Sequence, residues 1–358
     1  MSKAAELAKM GEVLTNNQIG GRRNLAINGA MAVYQRGSQA GIIDSYAVDR
    51  FITNGSGSQR FTYSQSTTVP SGEGFSYSAK LDVTTADASV AAGDFQVLRY
   101  IFEGQDLQHL KYGTSDAESL TLQFWVRSPK TGTHIVELEH IDASYQNSQS
   151  YTIAAADTWQ KVTLTFDGYQ TTSITNDNTK GFQINWWLMA GSNFSSGTLS
   201  SNTWQNTTAN RAVGQVNVAD STSNEWYITG VQLEVGEQAT PFEHRSFGEE
   251  LALCQRYYEK SYNQADAPAT TDSTNSLGRQ IDDGAIQRNG IDFKIIKRAN
   301  PTVTIYNPST GSTGSIRTNA NVDYSATVFA IGENRAIVYY TPASGEFLFF
   351  HFTAEAEL

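Results

Sequence analysis

From Asn24 to about Arg245 apolar and polar residues alternate with period two. Phe75, Tyr77, Ala79, Leu81 and Val83 form one such series, and Leu120, Leu122, Phe124 and Val126 another. Val162, Leu164 and Phe166, then Phe182, Ile184, Trp186 and Leu188, repeat the pattern. Strict alternation marks antiparallel strands with one face in a core and one toward water. Between Trp226 and Val235 the apolar set changes parity at Gly230, with Trp226 and Ile228 before it and Val231, Leu233 and Val235 after it. That is the signature of a bulge that bends its strand. With turn clusters such as Asn54-Gly55-Ser56-Gly57 and Asn176-Asp177-Asn178, the pattern predicts a two-sheet jelly-roll sandwich over 24–245.

The flanks read differently. Residues 2–14 place Leu7, Met10 and Leu14 at helical spacing, a short amphipathic stripe. So short a helix is marginal alone in water and needs copies of itself or another protein to cover it, unless it is a frayed terminus. With the joint Asn16–Gly21, it makes 1–23 an anchoring or oligomerisation segment. Ser246 and Glu249 have the spacing of a capping box. Phe247, Leu251, Cys254 and Tyr258 then continue a helical stripe, which predicts a connecting helix at 247–262 within 246–263. Residues 264–276, with Pro268, read as a linker. Alternation returns at Val303 and Ile305, at Tyr324, Ala326 and Val328, and at Ile337 and Tyr339, so 277–358 is a small β domain. Its last strand, Phe347–Phe352, is apolar on both faces. Either other chains cover it, with Phe347 and Phe349 joining Leu7, Met10 and Leu14 as docking or oligomerisation residues, or it is a central strand covered within one subunit. The fold class is all-β.

Composition narrows function more than fold. The chain has 358 residues, enough for two folded units at roughly 100–200 residues per domain. Charged residues make up only 17% and the net charge is −11, which leaves no basic surface for nucleic acid. One cysteine excludes an internal disulfide. No apolar run approaches about 18 residues and the N-terminus lacks a signal-peptide core. A soluble protein without membrane insertion or a secretion address is therefore expected.

No GxSxG, HExxH, Walker A or GxGxxG motif is present, so no enzyme is expected. Polysaccharide cleavage needs only two carboxylates joined by the fold, and Glu137 and Glu139, on one strand face, or Glu103 and Asp106 are the minority candidates beside ordinary solvated charges. His134 and His140 also share a face, but lie about 20 Å apart along an extended strand and cannot hold one metal. Asn176–Gly181 reads as a turn before a calcium loop, because Lys180 stands where an oxygen ligand is wanted. No metal or cofactor is expected, and Cys254 reads as a small buried hydrophobe. Trp125 and Trp187 sit on the parity opposite their strands' apolar sets, and Trp204 lies in the polar loop 200–210. Exposed indoles stack on the CH faces of sugars, so these three are the glycan-binding candidates. The alternative is packing under loops or in an interface.

Several stretches resemble the fibre and minor structural proteins of tailed bacteriophages that carry a carbohydrate-binding-module-like jelly roll. They are Asn24–Gly37 (NLAINGAMAVYQRG), Tyr46–Phe51 (YAVDRF), Gly104–Thr114 (GQDLQHLKYGT), Ser119–Ser128 (SLTLQFWVRS) and Phe350–Leu358 (FHFTAEAEL). Most specific is Gly230–Tyr258 (GVQLEVGEQATPFEHRSFGEELALCQRYY). The resemblance implies a virion component assembled in the host cytoplasm. It would be a tail fibre, homotrimeric, attached to other virion proteins through its N-terminus and displaying β domains to host-surface polysaccharide. The matched residues are framework, so no binding or catalytic residue carries over. The N-terminal region departs from the pattern, being short and without a long shaft, which keeps a stubby fibre or a head or tail decoration protein without ligand in view. A polysaccharide depolymerase is the third reading.

Overall fold

The computed structural model describes residues 23–41, 43–280, 287–341 and 346–358. The expected N-terminal helix, with Leu7, Met10 and Leu14, and the joint after it lie outside the described residues. The chain groups into two units: one with the described residues up to Met31, Gln39–Ser45 and Phe51–Arg245, the other with Ala32–Ser38, Tyr46–Arg50 and Ser246–Leu358. Two short stretches inside the expected 24–245 sandwich thus belong with the second unit, where Arg36, Asp49 and Arg50 find partners.

The first unit is built from β1 (Ser45–Tyr46), β2 (Phe51–Ser56), β3 (Phe61–Ser66), β4 (Ser78–Val83), β5 (Phe95–Glu103) and β6 (Leu120–Arg127), followed by β7 (Gly132–His140), β8 (Tyr145–Ile153), β9 (Gln160–Phe166), β10 (Lys180–Ala190) and β11 (Glu225–Val235). They form two sheets, ordered β1-β2-β5-β10-β7-β8 and β3-β4-β11-β6-β9. Consecutive strands repeatedly change sheet, as in a jelly roll. The predicted inward residues meet between the sheets: Phe124 on β6 packs edge-on to Trp186 on β10, centroids 5.9 Å apart, and Leu81, Leu122, Ile184 and Leu188 are fully buried. Phe75 and Tyr77 depart from the pattern, because β4 starts only at Ser78 and Tyr77 is 36% exposed. The bulge is where the parity change put it. The β11–β6 register shifts between Thr229 and Gln232, and Gly230 takes φ +62°, a conformation open to glycine at little cost.

The second unit holds helix α1 (Phe247–Gln255), β12 (Tyr258–Lys260), β13 (Leu277–Gln280), β14 (Gln287–Asp292), β15 (Thr302–Tyr306) and β16 (Ser315–Thr318), then β17 (Asp323–Ser325), β18 (Thr327–Phe329), β19 (Arg335–Tyr340) and β20 (Phe347–Glu355). Ser246 caps α1 by accepting the Glu249 N–H at 3.3 Å. The helix ends at Gln255 and not at 262, because Tyr258–Lys260 pair with Thr353–Glu355 of β20. Cys254 is buried on α1, and burial pushes its thiol pKa up.

Strand β20 is central, paired with β12, β13, β15 and β16. Leu348, Phe350, Phe352 and Ala354 enter the core. On the other face Tyr262 stacks over His351 at 3.8 Å and Phe347 stays 42% exposed. Residues 264–276, expected as a linker, are bound along this unit. Lys260 Nζ donates to the Gln264 and Asp266 carbonyls at 3.0 and 2.6 Å, and the Tyr262 hydroxyl accepts the Ala269 N–H at 3.2 Å.

Two buried arginine side chains tie Ala32–Ser38 and Tyr46–Arg50 to the end of the chain. Arg36 lies 3.7 Å over the Tyr258 ring and reaches Asp49 at 3.1 Å and Glu357 at 3.0 Å. Arg50 lies 3.4 Å over Tyr257 and also pairs with Glu357. Removing one partner of a buried ion pair strands a charge in low dielectric. Glu357→Ala is therefore expected to lower the second unit's stability by about 3–5 kcal/mol, read as a lower urea midpoint. An unchanged midpoint would mean that water takes the carboxylate's place.

Candidate functional site

The outer face of the six-stranded sheet carries the carboxylates singled out in the sequence. Glu137 and Glu139 project from β7, and Arg211, from the segment that follows β10, reaches both. Its Nη2 lies 2.5 Å from Glu137 Oε1 and 2.6 Å from Glu139 Oε2, and its Nε donates to Glu137 Oε2 at 2.9 Å. Asn185 of β10 donates to Glu137 at 2.8 Å, and Gln183 to Glu139 at 2.6 Å. Arg99 of β5 closes the row by donating from Nε to Asn185 Oδ1 at 2.6 Å. Glu137 is fully buried, and burial pushes its carboxyl pKa up against the pull of Arg211. Both carboxylates thus answer to one guanidinium, and Glu137 has no route to a substrate.

The segment carrying Arg211 also overturns the expectation for Trp187. Its parity is outward, as read, but Phe194, Leu199 and Ala212 join Phe95 around it and the indole is buried. It serves as the packing base of a loop and not as an exposed plate. Of the other polar candidates, Glu103 is buried and accepts from Gln105 at 2.7 Å. His134 and His140 face inward, each with Nε2 against a carbonyl, of Lys130 at 3.1 Å and of Thr172 at 3.0 Å. Burial lowers both pKa values, that of His134 to about 4. Asp177 is occupied by the N–H and hydroxyl of Thr179 at 2.9 and 2.7 Å, as in an Asx turn.

Trp204 is half-buried at the rim, where its Nε1 donates to the Asp167 carbonyl at 2.7 Å. The rings of Tyr112, Tyr169 and Phe182 surround it at 6.1, 5.4 and 6.2 Å. It is thus held on several sides.

Trp125 is placed differently. It is half-buried on the outer face of the five-stranded sheet, between Thr229 of β11 and Lys161 of β9. A Cβ on Gly230 would meet Phe75 Cζ at 2.6 Å and Trp125 Cδ1 at 3.1 Å, so the two rings close over the bulge only because no side chain stands there. Phe242 lies 5.0 Å from Phe75, and the exposed His244 lies 5.4 Å from Phe75 and 4.8 Å from Phe242. The loop that supplies them is fastened from below. Glu234 accepts the Thr240 N–H at 2.8 Å, Gln123 donates to the Thr240 carbonyl at 2.7 Å, and Gln232 accepts the Glu243 N–H at 2.8 Å. The result is an aromatic cluster on the outer face of the sheet, with the exposed Lys161 beside Trp125 and the buried amides of Gln123 and Gln232 beneath the loop. Phe75, Phe242 and His244 were not foreseen in this role; the parity change at Gly230 was the available signal.

No family model matches the sequence, and no curated protein matches it. Solved structures give distant likenesses. The enzymatically active domain of bacteriophage CBA120 tailspike protein 4 is 14% identical with a TM-score of 0.33, and the match covers 60% of this chain and 21% of that one. A putative sugar binding protein from Bacteroides thetaiotaomicron gives 12% and 0.33, covering 59% of this chain and 99% of the other. The module TmCBM61, solved with β-1,4-galactotriose, gives 10% and 0.29, covering 60% and 99%. The strand order of the two sheets by itself makes the first unit a sandwich. Among the described residues no helix is long and apolar enough to cross a membrane.

The Arg211 clamp makes a specific demand. Arg211→Met, which keeps most of the side-chain volume, leaves the Glu137 carboxylate buried without its counter-charge and is expected to cost about 3–5 kcal/mol. Adding Glu137→Gln is expected to recover much of that loss in thermal denaturation. Equal melting of Arg211→Met and the parent would show the clamp to be idle.

Proposed function

We propose that this chain is a virion structural protein of a tailed phage, a tail fibre that attaches through its N-terminus and binds host-surface glycans as a homotrimer, without chemistry of its own. The observation that carries the glycan reading is the half-buried Trp125, closed with Phe75 over the side-chain-free bulge at Gly230. An aromatic cluster held on a fixed sheet, with polar side chains beside it, suits the CH face and hydroxyl rim of a sugar. The charged row on the opposite sheet supports binding over catalysis, since its one fully sealed acid, Glu137, is tied to Arg211. The virion part rests on the resemblance of Gly230–Tyr258 and the other quoted stretches. Several copies per particle would amplify weak single-site affinity.

The glycan part is tested by binding of the intact protein to an array of bacterial surface polysaccharides. Trp125→Ala is expected to weaken binding at least tenfold while the protein keeps its fold by circular dichroism. Full binding by that variant would remove the site, and no binding by the parent would remove the glycan reading. Light scattering is expected to return about three times the chain mass of 39.2 kDa; a single-chain particle would remove the trimer.

A further inference from the structure

A ligand-sized open cavity lies in the second unit, on the face of β20 turned away from the core. Its volume is about 520 Å³, within the range of about 300–1,000 Å³ typical of small-ligand sites. Its walls include Asp272, Ser309, Arg317, Asn319, Asn321 and Phe349. Phe349 is paired with Gly278 on one side and Arg317 on the other. Its ring lies across the glycine, 3.4 Å from where a Cβ would stand. The ring is therefore braced beneath and only half-buried.

The rim supplies hydrogen-bonding groups and one carboxylate in excess, since Arg317 is matched by Asp323 and Asp272 adds its own charge. Arg317 is paired with Asp323 at 2.9 Å, and an oxygen of Asp272 accepts the Thr274 N–H at 2.9 Å. Asn319 uses its side-chain oxygen on the Phe347 N–H at 2.9 Å, and Asn321 its own on Arg317 at 3.4 Å. Both side-chain NH2 groups are left without a partner among the described residues. An aromatic floor, free amide donors and a slightly acidic rim describe a receptor for an uncharged polyhydroxylated ligand, and not for an anion or a greasy one. We propose that this cavity is a second glycan site, taking a neutral oligosaccharide with one sugar ring over Phe349. The proposal deepens the glycan reading of the first unit without requiring Trp125.

Saturation-transfer NMR on the full chain tests it, with cellohexaose, mannohexaose and maltohexaose as separate probes. Transfer to at least one probe is expected from the parent and to persist in Trp125→Ala. Adding Phe349→Leu, which keeps apolar bulk but removes the flat ring, is expected to reduce that remaining transfer at least fivefold. Adding the exposed Asn321→Gly instead, which removes the amide and keeps the left-handed turn (φ +63°) unstrained, is expected to reduce it at least threefold. Loss of all transfer in Trp125→Ala alone, or undiminished transfer after both second-unit changes, would overturn this site and leave the first-unit reading standing. No transfer from the parent to any probe would overturn the neutral-sugar class here.

Discussion

Arg211 reaches two carboxylates on β7, and the outer face of the six-stranded sheet takes its form from that contact. A buried carboxylate is tolerated only beside a compensating charge, so Glu137 fixes where the guanidinium must be. The guanidinium in turn fixes the segment that carries it. With that segment in place, Phe194, Leu199 and Ala212 cover Trp187, and a face that would otherwise present an indole to water becomes an interior. The second unit uses the same logic with Arg36, Arg50 and Glu357, adding tyrosine rings beneath the guanidiniums.

This asymmetry separates the two outer faces of the sandwich. One is closed by a loop and an ion-pair clamp. The other keeps Trp125 half-buried, because the loop crossing it bonds to Gln123, Gln232 and Glu234 and brings further aromatic rings instead of a lid. What such a face leaves open to solvent is fixed framework, held in shape by the sheet beneath it.

Much of the fold was legible because alternation is a local signal. The inward residues of β6, β10 and β11 and the bulge at Gly230 could be read from parity alone. What parity cannot tell is whether distant chain covers the outward face. Trp125 and Trp187 share the same reading, and only the loop around Arg211, some 24 residues beyond Trp187, makes them different. The end of α1 was misread for a related reason: Tyr258 continues a helical stripe, yet its backbone pairs with β20, nearly a hundred residues away. The doubly apolar last strand admitted two explanations, and its central position within one chain covers one face and part of the other. Phe347 remains exposed there, and Phe349 is only half-buried.

The chain's single cysteine sits inside α1 with no exposed surface and a thiol whose ionisation burial opposes. Alkylating reagents attack thiolates that they can reach, so the native protein is inert to them. Modification occurs only in the fraction of molecules whose helix has come away from its seat. Labelling speed at Cys254 is therefore a built-in clock for transient opening of the second unit, readable without adding any foreign probe site.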